Sequence, residues 1–250
     1  MPVDLPAPVS IPTRDGDCRA FVFKPAGRGP WPGVLVYMDA LAIRPALLEL
    51  GRRVADLGYF VLVPDLFYRS GPYEPMDARA IFGNPEAFKL LKEKFMVHAT
   101  MDNVMSDTAA FLDFLAQQPE AGSGRIGTTG YCMGGRFSLA AAGTWPGRIA
   151  ASASFHGGNL ATDDADSPHR LAPDMKARVF VAGATGDNGF PDSMKARLET
   201  ALADAGVDHV VETWPARHGW TFRDTPVYDE ACCERHLRVL QRLFGDTLHA

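Results

Sequence analysis

Apolar runs of strand length, separated by stretches of helical periodicity, leave this 250-residue chain few ways to fold. Val34-Leu-Val-Tyr-Met38, Tyr59-Phe-Val-Leu-Val63 and Ile149-Ala-Ala-Ser-Ala-Ser-Phe155 lack the polar alternation of a half-solvated strand. A run of this kind at strand length is buried on both faces, and strands buried that way belong to parallel sheets. Between the first two lies a helical pattern from about Arg44 to Leu57, with Leu47, Leu48, Val54 and Leu57 on the core side and Gly58 as its stop. Another runs from about Met101 to Gln117, leading into a β-prone run from Arg125 to Tyr131 and a helical pattern from Met133 to about Gly143. The rhythm continues with strands over Arg178–Gly183 and His209–Thr213, a helix over Ser193–Ala205 and a closing helix over Tyr228–Phe244. Strands alternating with helices predict an α/β fold with one mostly parallel sheet and helices on both faces. The N-terminal part breaks the rhythm. Val9–Thr13, an Asp15-Gly16 turn and Ala20–Lys24 read as a hairpin, hence an antiparallel edge.

With 46% hydrophobic residues the chain can bury a full core, and no repeat or linker divides it, so residues 1–250 are read as one domain. Within it, Leu66 to Phe95 is broken by Gly71, Pro72, Pro75, Gly83 and Pro85. Residues 66–96 are therefore expected to form an irregular lid or pocket wall. The segment Gly158–Lys176 reads as a polar loop. A net charge of −5 argues against nucleic acid and anionic membranes as partners. No run is long enough to span a bilayer, and the N-terminal residues lack the pattern of a signal peptide. The four cysteines (Cys18, Cys132, Cys232, Cys233) show no C-x-x-C spacing or zinc pattern, which points to a reducing, cytoplasmic setting with no metal. Cys232 and Cys233 are read as core or surface thiols rather than a redox pair.

Chemistry concentrates where Gly130-Tyr-Cys-Met-Gly134 joins strand to helix. A side chain on such a sharp turn needs small neighbours, and a thiol there meets a helix N-terminus that favours its ionised form. Two more polar residues follow predicted strands: Asp187 in Gly-Asp-Asn-Gly and His218 in Ala-Arg-His-Gly-Trp. In an open α/β sheet such strand ends converge on one crevice. Cys132, Asp187 and His218 thus supply a nucleophile, an orienting carboxylate and a proton carrier. An oxyanion site is expected from the Met133 N–H and from Ala40 or Leu41, in the loop after Val34–Met38. Asp39 in that loop is read in three ways: it accepts the thiol proton, pairs with an arginine such as Arg69, or helps cap the helix near Arg44.

Gly-Tyr-Cys-Met-Gly-Gly, Val-Pro-Asp-Leu-Phe-Tyr-Arg-Ser-Gly, Gly-Asp-Asn-Gly-Phe-Pro and Ala-Arg-His-Gly-Trp occur in this order, and the chain resembles the dienelactone hydrolase family from about Val9 to Phe244. The resemblance implies an α/β-hydrolase fold and cleavage of a small-molecule carboxylic ester or lactone by a Cys-His-Asp triad, without a cofactor. It gives Asp39 the place of a thiol-activating glutamate, one methylene shorter. It also implies arginines for a substrate carboxylate. One family arginine lies four residues after the histidine, where this chain has Phe222 followed by Arg223; Arg69 stands in the matching segment after Pro-Asp-Leu. Tyr68, His156 and Trp220 are further candidates for lining the pocket. The Asp163-Asp164-Ala-Asp166 cluster reads as a solvated loop, since it lacks the pattern of a calcium site. Rival readings are a thiol-dependent acyl transferase or redox protein, and a non-catalytic binding protein on the same scaffold. Monomer and homodimer both remain open.

Overall fold

The hairpin comes first in chain and in space. β1 (Val9–Thr13) pairs antiparallel with β2 (Gly16–Phe23), and β2 pairs antiparallel with β4 (Phe60–Pro64). From β4 onward the neighbours are parallel: β3 (Gly33–Tyr37), β5 (Ile126–Tyr131), β6 (Ile149–Phe155), β7 (Arg178–Ala184) and β8 (His209–Trp214). The sheet order is β1-β2-β4-β3-β5-β6-β7-β8. This computed structural model describes residues 6–249; residues 1–5, part of the segment read above for a signal peptide, and residue 250 lie outside the described residues. No helix among the described residues is long and apolar enough to cross a membrane.

Every residue of β3, β4, β5 and β6 is buried, as their sequences require of central parallel strands. Side chains alternate across such a strand, and β5 shows what covers each face. At Gly127 an added Cβ would lie 2.6 Å from the ring of Phe244, so the closing helix α7 (Glu230–Leu248) packs directly on that face. At the next residue, Thr128 Oγ1 meets Ser138 Oγ at 2.9 Å, and Ser138 meets Ser152 on β6 at the same distance. Ser138 belongs to α5 (Met133–Thr144), which therefore covers the opposite face. α1 (Pro45–Ala55) lies beside α7, tied to it by the Arg53–Glu234 pair, while α4 (Met101–Ala116) lies beside α5.

The chain leaves β3 through α1 to reach β4 on one side, then returns through α4 to β5 on the other. β3 and β5 are therefore the switch point of the sheet, where loops diverge and a crevice opens at the C-terminal strand ends. The loop after β3 and the turn after β5 carry Asp39 and Cys132.

Residues 66–96 are more regular than expected. A 3₁₀ turn at Tyr68–Ser70 precedes α2 (Ala78–Phe82) and α3 (Pro85–Lys94). The breakers act as boundaries. Asp77 accepts from the Ala80 N–H, Gly83 closes α2, Asn84 accepts from the Glu86 and Ala87 N–H groups, and Pro85 opens α3. The polar loop before β7 likewise contains a 3₁₀ segment, Pro168–Asp174, and α6 (Asp192–Asp204) joins β7 to β8.

Candidate active site

Cys132 caps the N-terminus of α5 with φ 52° and ψ −116°, a conformation that a residue with a Cβ adopts only under strain. Close packing holds it. A Cβ at Gly130 would sit 2.0 Å from the Gly134 carbonyl oxygen, and one at Gly134 would sit 2.3 Å from that of Tyr37. Helix, strand β5 and the end of β3 approach so closely that only hydrogen fits between them. The half-buried sulfur stands at the helix N-terminus, where the first N–H groups have no intrahelical acceptor.

His218 lies in the loop after β8 and Asp187 in the loop after β7. His218 Nδ1–H donates to Asp187 Oδ2 at 2.7 Å, and the Gly189 N–H donates to Asp187 Oδ1 at 2.8 Å. With Nδ1 occupied, the far nitrogen of the imidazole is left without a partner among the described residues, and the Cys132 sulfur is near enough to favour the protonated ring. Burial works against a charge on His218, but the Cys132 sulfur and the Asp187 carboxylate outweigh it and push the imidazole up to about 10. Burial pushes Asp187 the other way, yet its bonds to His218 and Gly189 hold the carboxyl below its ordinary value. The arrangement favours an imidazolium between two acceptors.

The loop after β3 turns through Asp39. Asp39 Oδ1 accepts from the Leu41 N–H at 3.2 Å, and the Asp39 carbonyl from the Ala42 N–H at 3.3 Å. Leu41 is thereby committed. The Ala40 N–H has no acceptor among the described residues, nor does the Met133 N–H at the start of α5.

Asp39 pairs with an arginine, but with Arg44 rather than Arg69. Arg44 Nη1 and Nη2 donate to the two Asp39 oxygens at 2.6 and 2.9 Å, and Arg44 Nε donates to Asp224 at 2.6 Å. The guanidinium also lies 4.5 Å from the ring centroid of Phe222. Burial pushes the Asp39 carboxyl above its ordinary value, against the opposing pull of Arg44. Protonation of Asp39 would remove its charge and so weaken its pairing with the Arg44 guanidinium.

The substrate-binding candidates fall into two groups. His156 and Trp220 are fully buried beside the histidine: the His156 ring centroid lies 5.1 Å from His218 and 4.7 Å from Trp220. Arg69 and Tyr68 are bound elsewhere. Arg69 donates to buried Asp107 at 2.7 and 2.8 Å and to Asp15, while the Tyr68 hydroxyl bonds Thr13 and Asp107. A substrate carboxylate at Arg69 would have to displace Asp107, whose charge would then be buried without a partner. Arg223 is exposed and pairs with Glu49 at 3.3 Å. No hydrogen bond or ion pair among the described residues joins these three to Cys132, His218 or Asp187. No cluster of three or more His, Cys, Asp or Glu side chains among the described residues is placed to hold a metal ion.

Arg44, Asp224 and Thr221 were not singled out by sequence reasoning. Arg44 and Asp39 are opposite charges five residues apart in one loop, which is a usable signal. Asp224 is 180 residues from Arg44, and no local pattern announces that pairing.

The chain is similar to known proteins along most of its length. The sequence profile of the dienelactone hydrolase family matches residues 18–248. A Methylorubrum extorquens protein named "Putative carboxymethylenebutenolidase" is 29% identical over 201 residues, covering 79% of this chain and 66% of its own length, just under two thirds. A Klebsiella pneumoniae structure described as a "Putative Dienelactone Hydrolase" superposes with a TM-score of 0.82 at 21% identity, covering 96% of this chain and 97% of that one. A dienelactone hydrolase-like promiscuous phosphotriesterase from metagenomic libraries gives a TM-score of 0.74 at 24% identity, covering 96% and 98%. These likenesses identify the α/β-hydrolase fold. With most of its length matched, from the second strand to the last helix, the chain belongs to the dienelactone hydrolase family and with it to the carboxylic ester hydrolases.

Proposed function

We propose that the protein hydrolyses a small-molecule carboxylic ester or lactone with Cys132 as nucleophile. The observation that carries this reading is the His218–Asp187 contact of 2.7 Å, with the Cys132 sulfur near enough to help hold the proton on the same imidazole. The thiolate attacks the carbonyl carbon, and the carbonyl electron pair moves to the oxygen, where the Met133 and Ala40 N–H groups receive it. As the C–O bond breaks, the imidazolium passes its proton to the departing alkoxide, which leaves as the alcohol, or stays tethered when the substrate is a lactone. A thioester remains. The now neutral imidazole takes a proton from water, the resulting hydroxide attacks the thioester, and the thiolate leaves with the carboxylic acid formed.

Asp187 enters as the group that fixes the imidazole tautomer and offsets its charge. Asp39 enters as the residue that shapes the oxyanion loop, because its Oδ1 takes the Leu41 N–H and leaves Ala40 free. The test is turnover of a panel of activated aryl esters and simple lactones by wild type and Cys132→Ala. The reading expects burst release of the alcohol in the wild type and loss of at least about 1,000-fold in kcat in the variant. Undiminished turnover in Cys132→Ala would sink it.

A further inference from the structure

We propose that His156 is a positioning residue that ties the Cys132 turn to the loop carrying His218, an assignment that rests on Cys132 being the nucleophile. His156 follows β6 directly and is completely buried. Its Nδ1 accepts a hydrogen bond from the Cys132 backbone N–H at 3.1 Å. An accepting Nδ1 carries no proton, so in the neutral ring the proton is on Nε2, which faces Thr221 Oγ1 at 2.8 Å. Thr221 is three residues beyond His218. One rigid ring therefore spans from the amide of the nucleophile to the loop of the proton carrier. It is a strut of two hydrogen bonds.

The strut matters because of the strain at Cys132. With φ at 52° the turn is not held by its own backbone preference, and the direction of its N–H determines where the Cα–Cβ bond points. The same N–H lies 3.2 Å from the Phe155 carbonyl, so the imidazole is the nearer of two acceptors. His156 is itself fixed. Its own N–H donates to the Ala182 carbonyl on β7 at 2.8 Å, its backbone sits at φ 40°, and its ring stands edge-on to Trp220. A proton on Nδ1 would turn the acceptor into a donor facing another donor. Burial, helped by the nearby His218 and His236, keeps the ring neutral by holding its pKa well below the ordinary value. Both ring nitrogens are occupied and none of the side chain reaches solvent, so neither is free for a substrate.

Two readouts test this on the full-length protein: the rate of Cys132 alkylation by iodoacetamide at pH 7, and ester kinetics with kcat and KM separated. His156→Phe keeps a ring but neither hydrogen bond, and is expected to slow alkylation and lower kcat by about tenfold or more, with KM changed less than about twofold. His156→Asn places an oxygen acceptor where Nδ1 stood and tolerates positive φ, so it should recover most of the alkylation rate. Thr221→Val removes only the outer link; a fall of about threefold is expected, and it carries the test if His156→Phe does not fold. Alkylation at the wild-type rate in His156→Phe, or at the wild-type rate in Thr221→Val, would overturn the assignment. So would an effect confined to KM, or a His156→Asn protein no better than His156→Phe. Alkylation needs no ester. A wild-type protein that shows this alkylation pattern without hydrolysing any ester would refute the hydrolase reading and leave the strut standing.

Discussion

Arg44→Met isolates the energetics of the buried ion pair in the loop after β3. The Arg44 side chain is 1% exposed and that of Asp39 is 7% exposed, so neither charge has water to fall back on. Methionine fills much of the volume but leaves the Asp39 carboxylate with only the Leu41 N–H. Removing one member of a buried pair costs about 3–5 kcal/mol, because the survivor stays desolvated. The alternative for Asp39 is to take up a proton. For a carboxyl with an ordinary value of 3.8, staying protonated at pH 7 costs about 4 kcal/mol, at about 1.4 kcal/mol per pH unit. That sets a ceiling on this part of the penalty, and it gives a pH signature. In the variant the folded state holds a proton that the unfolded state releases, so its stability deficit should shrink as pH falls, to under about 2 kcal/mol at pH 5. Asp39→Asn combined with Arg44→Met should remove most of the deficit, since no buried charge remains. Urea denaturation of the two single variants and the double variant at pH 5 and pH 7 measures all three quantities. An Arg44→Met protein within about 1 kcal/mol of wild type at pH 7, a deficit independent of pH, or a double variant no more stable than Arg44→Met would refute the argument.

Gly134→Ala puts a methyl group 2.3 Å from the Tyr37 carbonyl oxygen and 2.5 Å from that of Met38, both backbone atoms that cannot swing aside. It should cost about 1–3 kcal/mol in denaturant melts, and the displaced helix N-terminus should lower kcat about 100-fold. Gly245→Ala is the control: within α7 an added Cβ meets nothing within 4 Å, so it should stabilise by about 1 kcal/mol and leave turnover unchanged. The Asp187–His218 pair has its own pH window. His218 is raised from 6.5 to about 10 by the Cys132 sulfur together with Asp187, so this contribution, of which Asp187 supplies a part, is fully present below 6.5 and is lost as pH rises through about 10. Asp187 is lowered from 3.8, so its contribution is present above 3.8 and is lost as pH falls through its folded value. The stability gap between wild type and Asp187→Asn, measured by urea melts, should be largest between these limits and narrow toward pH 10.

What could be read from the sequence was what depends on near neighbours. Strands β3, β4 and β6 were legible because burial on both faces leaves an uninterrupted apolar run, and the Cys132 turn because its glycines mark where backbones must touch. The helices within residues 66–96 were missed because Gly83 and Pro85 read as breakers, whereas between Asp77 and Asn84 they end one helix and start the next. Arg69 illustrates a different limit. Its segment matches a family pattern, but the carboxylates it meets come from Asp107 on α4 and Asp15 in the first hairpin. Only the tertiary fold could show that the guanidinium is already in use.

The same limit explains why the loop after β8 looked like little more than His218 followed by aromatics. In space it is tied from three sides. Asp187 holds the imidazole from the end of β7, His156 holds Thr221 from the end of β6, and Asp224 reaches Arg44, which holds the loop after β3 through Asp39. A loop would otherwise be the mobile part of such a site, since its backbone has few sheet hydrogen bonds to lose. Here each tie is a charged or fully buried hydrogen bond, the kind most costly to leave unmade. The ties also start from different strand ends, so releasing one leaves the other two in register. The proposed proton transfer between Cys132 and His218 would require two groups on separate loops to stay close together. On the proposed mechanism, a thiol on this strained turn would gain nothing from its exposure unless the partner loop were held as firmly as the turn itself.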